Sequence, residues 1–178
     1  MALKNFYLRS GDIFFSLVFF WSDYILDNVI DFMIKKNLSV SCAESCTGGL
    51  LSAKFISYAG ISKIFYEGIV AYNNNAKIKR LSVDESKLKI YGAVSKEIAI
   101  EMLKNLKTDI CISTTGVAGP NQDDFKNPVG LVYIGLKIKN DIIDVKKCNF
   151  SGTRLEIQNK TVDMALNFLR EKLFSIKI

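Results

Sequence analysis

The sequence predicts an α/β fold: a three-layer α/β/α domain whose mixed, mostly central sheet of about five strands is covered by helices. Three observations lead there. Short β-leaning runs alternate with segments of helical periodicity through the first part of the chain. Two strand patterns then meet at Asn140-Asp141, a hairpin signal that adds antiparallel strands. A long helical stretch closes the domain. A length of 178 residues suits one globular domain, and no repeat, linker or low-complexity segment divides it.

Each element has its own signal. From about Tyr24 to Lys36, Ile25, Val29, Phe32 and Met33 share one helical face. Leu38 to Cys42 is a short strand, Ala43 to Gly49 a loop of small residues, and Leu50, Leu51, Phe55 and Ile56 begin a helix. Gly60 and Ser62 mark a turn before the strand Ile64 to Tyr72. Asn73 to Asn75 can cap a helix starting near Ala76. Helices follow over Asp84 to Ile90 and Ser95 to Leu106, and a strand from Asp109 to Thr114 runs into Thr-Thr-Gly-Val-Ala-Gly-Pro. The hairpin strands span about Leu131–Lys139 and Ile142–Phe150, and the last helix about Arg154–Leu173.

The domain is assigned to residues 23–178, behind an extension of residues 1–22. Its apolar run, Ile13 to Trp21, is too short for a bilayer, which needs about 20 residues, and Asp23 and Asp27 follow where a signal peptide would show a small-residue cleavage site. It is expected to pack on the domain or on a partner subunit.

Composition excludes several chemistries. The chain has no histidine, which removes Ser-His-Asp and Cys-His catalysis, histidine zinc sites and any histidine base. The net charge of +6 comes from 24 Lys and Arg against 18 Asp and Glu, scattered rather than clustered, so no nucleic-acid partner is expected. Positive potential would still attract a small anionic substrate. Cys42 and Cys46 lack a second pair to complete a metal site, and Cys111 and Cys148 sit in apolar runs, the pattern of reduced core thiols in a cytoplasmic protein.

Four clusters could carry chemistry. Ser45-Cys46-Thr47-Gly48-Gly49, between strand and helix, could bind a phosphate, could present a nucleophile beside an oxyanion hole of its own amides, or could simply cap the helix. Tyr72-Asn73-Asn74-Asn75-Ala76-Lys77 puts a lysine in the first helical turn, where the dipole disfavours a cation. To act as a base it must lose about 3 units of pKa, about 4 kcal/mol, most of it by burial. Thr115-Gly116 and Gly119-Pro120 follow a strand end, where open α/β sheets bind ligands. Gly152-Thr153-Arg154 offers one of only four arginines, a planar phosphate clamp.

Taken in order, Ala-Glu-Ser-Cys-Thr-Gly-Gly, Ala-Tyr-Asn-Asn-Asn-Ala-Lys, Gly-Ala-Val-Ser, Thr-Gly-Val-Ala-Gly-Pro, Pro-Val-Gly and Phe-Ser-Gly-Thr-Arg resemble the C-terminal domain of the CinA (competence/damage-inducible) family, also called PncC, from about Tyr24 onward. The resemblance implies a metal-independent serine amidohydrolase that needs no cofactor and converts nicotinamide mononucleotide and water to nicotinate mononucleotide and ammonia. It implies Ser45 as nucleophile, Lys77 as base and Tyr72 as a further catalytic position. Cys46, Thr47, Gly48, Gly49, Thr115, Gly116, Gly119 and Arg154 are the implied substrate-binding positions. The expected partners are this small molecule and further copies of the chain, with neither nucleic acid nor membrane. A serine–lysine pair agrees with the missing histidine.

The chain departs from the family pattern at Gln122 and Asp123, where Gly-Gly is usual, at Asn127 for lysine, at Asn75 for an acid and at Thr153 for aspartate. These departures keep one alternative open, a nucleotide-binding module without turnover; the family's name adds another, a factor associated with competence or DNA damage, which the scattered lysines do not support.

Overall fold

The computed structural model describes residues 28–139 and 142–175. The extension 1–22 and the turn at Asn140-Asp141 lie outside them. Helix α1 is described over residues 28–35. Then come β1 (Val40–Glu44), α2 (Leu50–Ile56), a 3-10 turn (Ile61–Lys63), β2 (Phe65–Val70), α3 (Asn74–Leu81), α4 (Glu85–Tyr91) and α5 (Lys96–Glu101). β3 (Ile110–Gly116), β4 (Leu131–Ile138), β5 (Ile142–Asn149) and α6 (Arg154–Ser175) complete the order.

The sheet has five strands in the order β2-β1-β3-β4-β5. β1 pairs in parallel with both β2 and β3, whereas β3–β4 and β4–β5 are antiparallel. β1 is buried along its whole length, as expected of a parallel strand covered on both faces. Alternation along the strands divides the core into two layers. Val40 and Cys42, Ile110 and Ile112, and Val132, Ile134 and Leu136 face α1, α2 and α6, where Met33, Phe55 and Leu169 are fully buried. Ala43 and Cys111 face α3, α4 and α5 through Leu81, Leu88 and Ile98. The architecture is the three-layer α/β/α arrangement expected from the sequence.

Several boundaries differ from the sequence expectation, each for a local reason. β1 runs on to Glu44 because Ala43 and Glu44 are paired on both sides. β3 runs on to Gly116, which pairs with Val132, so Thr115 and Gly116 belong to the strand rather than to the loop after it. α3 starts at Asn74 because the Asn73 side chain accepts from the Asn75 amide at 2.8 Å. α5 stops at Glu101, and residues 102–105 turn away. The Lys137 ammonium donates to the carbonyls of Leu103 and Leu106 there, satisfying groups that a longer helix would have paired. α5 also lies close on the sheet: a Cβ at Gly135 would stand 3.0 Å from the Ala99 carbonyl oxygen and 2.4 Å from Ser113 Oγ.

Candidate active site

The connection from β1 to β2 carries α2 on one face of the sheet, and the connection from β2 to β3 carries α3, α4 and α5 on the other. The two connections run in opposite directions along the sheet, β1 to β2 one way and β2 past β1 to β3 the other, and a crevice opens at the carboxyl ends of β1 and β3. Ser45 follows β1, Tyr72 follows β2, and Gly116 ends β3. The antiparallel pairings bring the start of β4 and the end of β5 to the same edge, which delivers Arg154 at the start of α6. A cleft of about 410 Å³ lies among them, lined by Ser45, Cys46, Tyr72, Lys77, Thr115 and Arg154 together with Gly116 and Ala118.

The loop after β1 is a tight turn. Gly48 and Gly49 have φ of 63° and 102°, the left-handed region that glycine adopts without strain. The Ser45 amide donates to the Thr114 carbonyl at 2.9 Å, and the Ser45 carbonyl accepts from the Gly48 amide at 3.2 Å. Gln158 Nε2 on α6 donates to the Cys46 carbonyl at 2.8 Å. The amides of Gly49, Leu51 and Ser52 donate to the Glu44 carboxylate. The amides of Cys46 and Thr47 have no acceptor in another residue among the described residues, so these two can receive an oxyanion. Thr47 itself turns inward: its hydroxyl donates to Glu44 at 2.6 Å and lies 2.7 Å from the Thr114 hydroxyl. The Thr47 side chain, Gly48 and Gly49 stand off the cleft wall; they shape the turn that presents Ser45 and Cys46.

Lys77 is only 1% exposed. Its Nζ donates to Ser45 Oγ at 2.9 Å and to the Tyr72 carbonyl at 3.1 Å. Burial pushes its pKa down to about 8, with a smaller opposing influence from the Cys46 sulfur. About a tenth of the lysine is then neutral at pH 7, and the neutral amine has one lone pair to accept the serine proton while an N–H still holds the Tyr72 carbonyl. Cys46, beside the nucleophile position, is pushed the other way: burial raises its thiol to about 12, which leaves almost no thiolate at neutral pH.

The outer rim is built from α6. Arg154 donates to the Gly119 carbonyl and, at 2.7 Å, to the Tyr72 hydroxyl. Tyr72 is 58% exposed, so its ring stands at the mouth and its carbonyl in the interior. Thr115 donates to the Ala93 carbonyl at 2.6 Å, tying β3 to the loop before α5. Two of the departures meet here. Asp123 accepts from the amides of Phe125 and Asn127 and from Asn127 Nδ2 at 2.9 Å, so the carboxylate and the amide side chain close one turn together. Thr153 caps α6 in a reciprocal pair with Glu156: its amide donates to the carboxylate at 2.7 Å.

The sequence pattern of the CinA C-terminal domain matches residues 23–173. The chain belongs to this family. A relative from Clostridium botulinum (strain Loch Maree / Type A3), named for competence-damage induction, is 51% identical over 149 residues, 82% of this chain and 36% of its own length. A CinA-like protein from Kosmotoga olearia is 47% identical over 152 residues, 83% of this chain and 37% of its own. The chain thus spans little more than a third of these relatives. Among solved structures, competence damage-inducible protein A from Klebsiella pneumoniae superposes with a TM-score of 0.82 at 29% identity, covering 85% of this chain and 96% of that one. Competence/damage inducible protein CihA from Agrobacterium tumefaciens gives 0.79 at 33% identity, covering 83% and 93%. No helix of the described residues is long and apolar enough to cross a membrane.

Two residues of this CinA C-terminal domain contribute to the site without having been singled out in the sequence. Gln158 stands one helical turn after Arg154, and the i, i+4 spacing was the available signal. Glu44 lies inside the first motif, but nothing local distinguishes a buried acid there from an exposed one.

Proposed function

We propose that this domain is an amidohydrolase that removes the carboxamide nitrogen of nicotinamide mononucleotide by serine–lysine catalysis. The observation that carries the reading is the 2.9 Å contact between Lys77 Nζ and Ser45 Oγ, made by a buried lysine whose pKa falls to about 8. Neutral Lys77 takes the Ser45 proton as Oγ attacks the carboxamide carbon. The tetrahedral oxyanion is met by the amides of Cys46 and Thr47. Lys77 returns the proton to the departing nitrogen, which leaves as ammonia, and an ester to Ser45 remains. Water, deprotonated by the same lysine, then attacks the ester and frees the carboxylate and the serine. The substrate's pyridinium withdraws electrons from the amide, so the carbonyl is already activated. Arg154, which lines the mouth, would meet the phosphate.

Incubation of the purified chain with nicotinamide mononucleotide, with ammonia and nicotinate mononucleotide both measured, tests the reading. Retained binding without product would favour the module without turnover. The pH profile adds a signature. The base must be neutral, so kcat/KM is expected to rise tenfold per pH unit below about 8 and to level above it. A profile flat between pH 6 and 8 would exclude Lys77 as the base.

Arg154→Met is expected to raise KM for the mononucleotide at least tenfold with a smaller change in kcat, because a phosphate clamp binds substrate and transition state alike. The same variant should discriminate less against the substrate lacking its phosphate. Steady-state kinetics on the two substrates check this.

A further inference from the structure

Glu44 is fully buried, immediately precedes Ser45 and takes no part in the mechanism above. Its two oxygens face donors only. Oε1 accepts from the Ser52 amide at 2.7 Å and the Ser52 hydroxyl at 2.5 Å. Oε2 accepts from the Thr47 hydroxyl at 2.6 Å and from the amides of Gly49 and Leu51 at 3.0 and 3.1 Å. Three of these are backbone N–H groups at the start of α2, which otherwise go unpaired. The residue before the nucleophile thus grips residues 47, 49, 51 and 52 and closes the turn of residues 45–49. The amides it occupies are withdrawn from the cleft, which leaves those of Cys46 and Thr47 without an acceptor in another residue among the described residues.

We propose that Glu44 is a positioning residue for the nucleophile turn: its carboxylate ties the start of α2 to the end of β1, so that Ser45 Oγ stays in contact with Lys77 and the Cys46 and Thr47 amides stay free. The proposal rests on the serine–lysine reading. A glutamine cannot replace the carboxylate, because its NH₂ would point at N–H groups on whichever side it lay. The loss should fall on the chemical step, since Glu44 itself does not line the cleft.

The test compares wild type, Glu44→Gln, Ser52→Ala and Ser45→Ala in two assays. One is turnover of nicotinamide mononucleotide, with kcat and KM separated. The other is the rate at which a fluorophosphonate labels Ser45, read by peptide mass, which needs no amidase substrate. Thermal unfolding is followed in parallel. Glu44→Gln is expected to lower kcat and the labelling rate together about 100-fold, with KM within threefold of wild type. Ser52→Ala removes one hydroxyl donor and leaves the fold intact; it is expected to lower both rates three- to tenfold, and it decides the matter if Glu44→Gln does not fold. Labelling and kcat within twofold of wild type in a folded Glu44→Gln, or in Ser52→Ala if only that variant folds, would overturn the positioning role with the nucleophile intact. A wild-type Ser45 that neither labels nor turns over substrate would overturn the serine–lysine reading, and the proposal with it. Labelling without turnover of the mononucleotide would overturn only the choice of substrate and leave the role of Glu44 to be read from the labelling rates.

Discussion

Replacing Lys77 by methionine is expected to abolish turnover, by at least a thousandfold, while making the domain more stable at pH 7. The two effects have one cause. The lysine is 1% exposed, and burial lowers its pKa from 10.5 to about 8. The folded chain therefore binds fewer protons than the unfolded chain between about pH 8 and 10.5, and folding is penalised below that window. The shift corresponds to about 3 kcal/mol at pH 7. Methionine removes this penalty and forfeits two hydrogen bonds, each contributing about 1 kcal/mol. A net gain of about 1–2 kcal/mol remains, seen as a rise of several degrees in the unfolding midpoint. The sign has a pH dependence that can be checked. Wild-type stability should climb relative to the variant as pH rises from about 8 to 10.5, until the advantage of methionine is gone. Equal stabilities at pH 7 would mean that the burial penalty does no more than offset the two hydrogen bonds.

Ser45→Ala is expected to lose at least a thousandfold in kcat, whereas Cys46→Ala should stay within about fivefold of wild type. Both side chains line the cleft, and a thiol is ordinarily the stronger nucleophile. Environment reverses the ranking. Burial raises the Cys46 thiol to about 12, so its thiolate fraction at pH 8 is about one in ten thousand. Ser45 instead has Lys77 Nζ at 2.9 Å. Parallel kinetics on the two alanine variants decide between them, and an inactive Cys46→Ala beside an active Ser45→Ala would reverse the assignment.

Much of the fold was legible in the sequence because its signals are local. The apolar periodicity of Leu51 and Phe55, the caps at Asn73, Asp84 and Ser95, and the long pattern from Arg154 each correspond to an observed element. What was not legible depends on partners far along the chain. β1 continues through Glu44 because β2 and β3 pair with it there, and α5 ends early where Lys137, 31 residues beyond Leu106, takes up carbonyls of the turn that follows it. The site divides the same way. Ser45 and Lys77 could be picked out as residue types in suggestive positions, but their contact spans 32 residues and exists only once β1 and β2 lie side by side. The direction in which Thr47 points could not be read from a run of small residues, because the buried Glu44 and Thr114 that attract it are set by the sheet. The Asp123–Asn127 pair shows two departures from the family pattern acting as one unit, which position-by-position reading treats as two.

α6 has a consequence for the order in which the protein becomes competent. Its first turns hold the Cys46 carbonyl through Gln158 and the Gly119 and Tyr72 groups through Arg154, while Ile157, Leu166 and Leu169 seal the core beneath α2. Ser45 and Lys77 leave the ribosome much earlier, yet the cleft between them has neither its rim nor its supporting layer until residues 154–169 have followed. The cleft is therefore completed last, by a segment that follows its two buried partners by more than seventy residues, and a chain that ends before this segment would lack Arg154 and Gln158 alike.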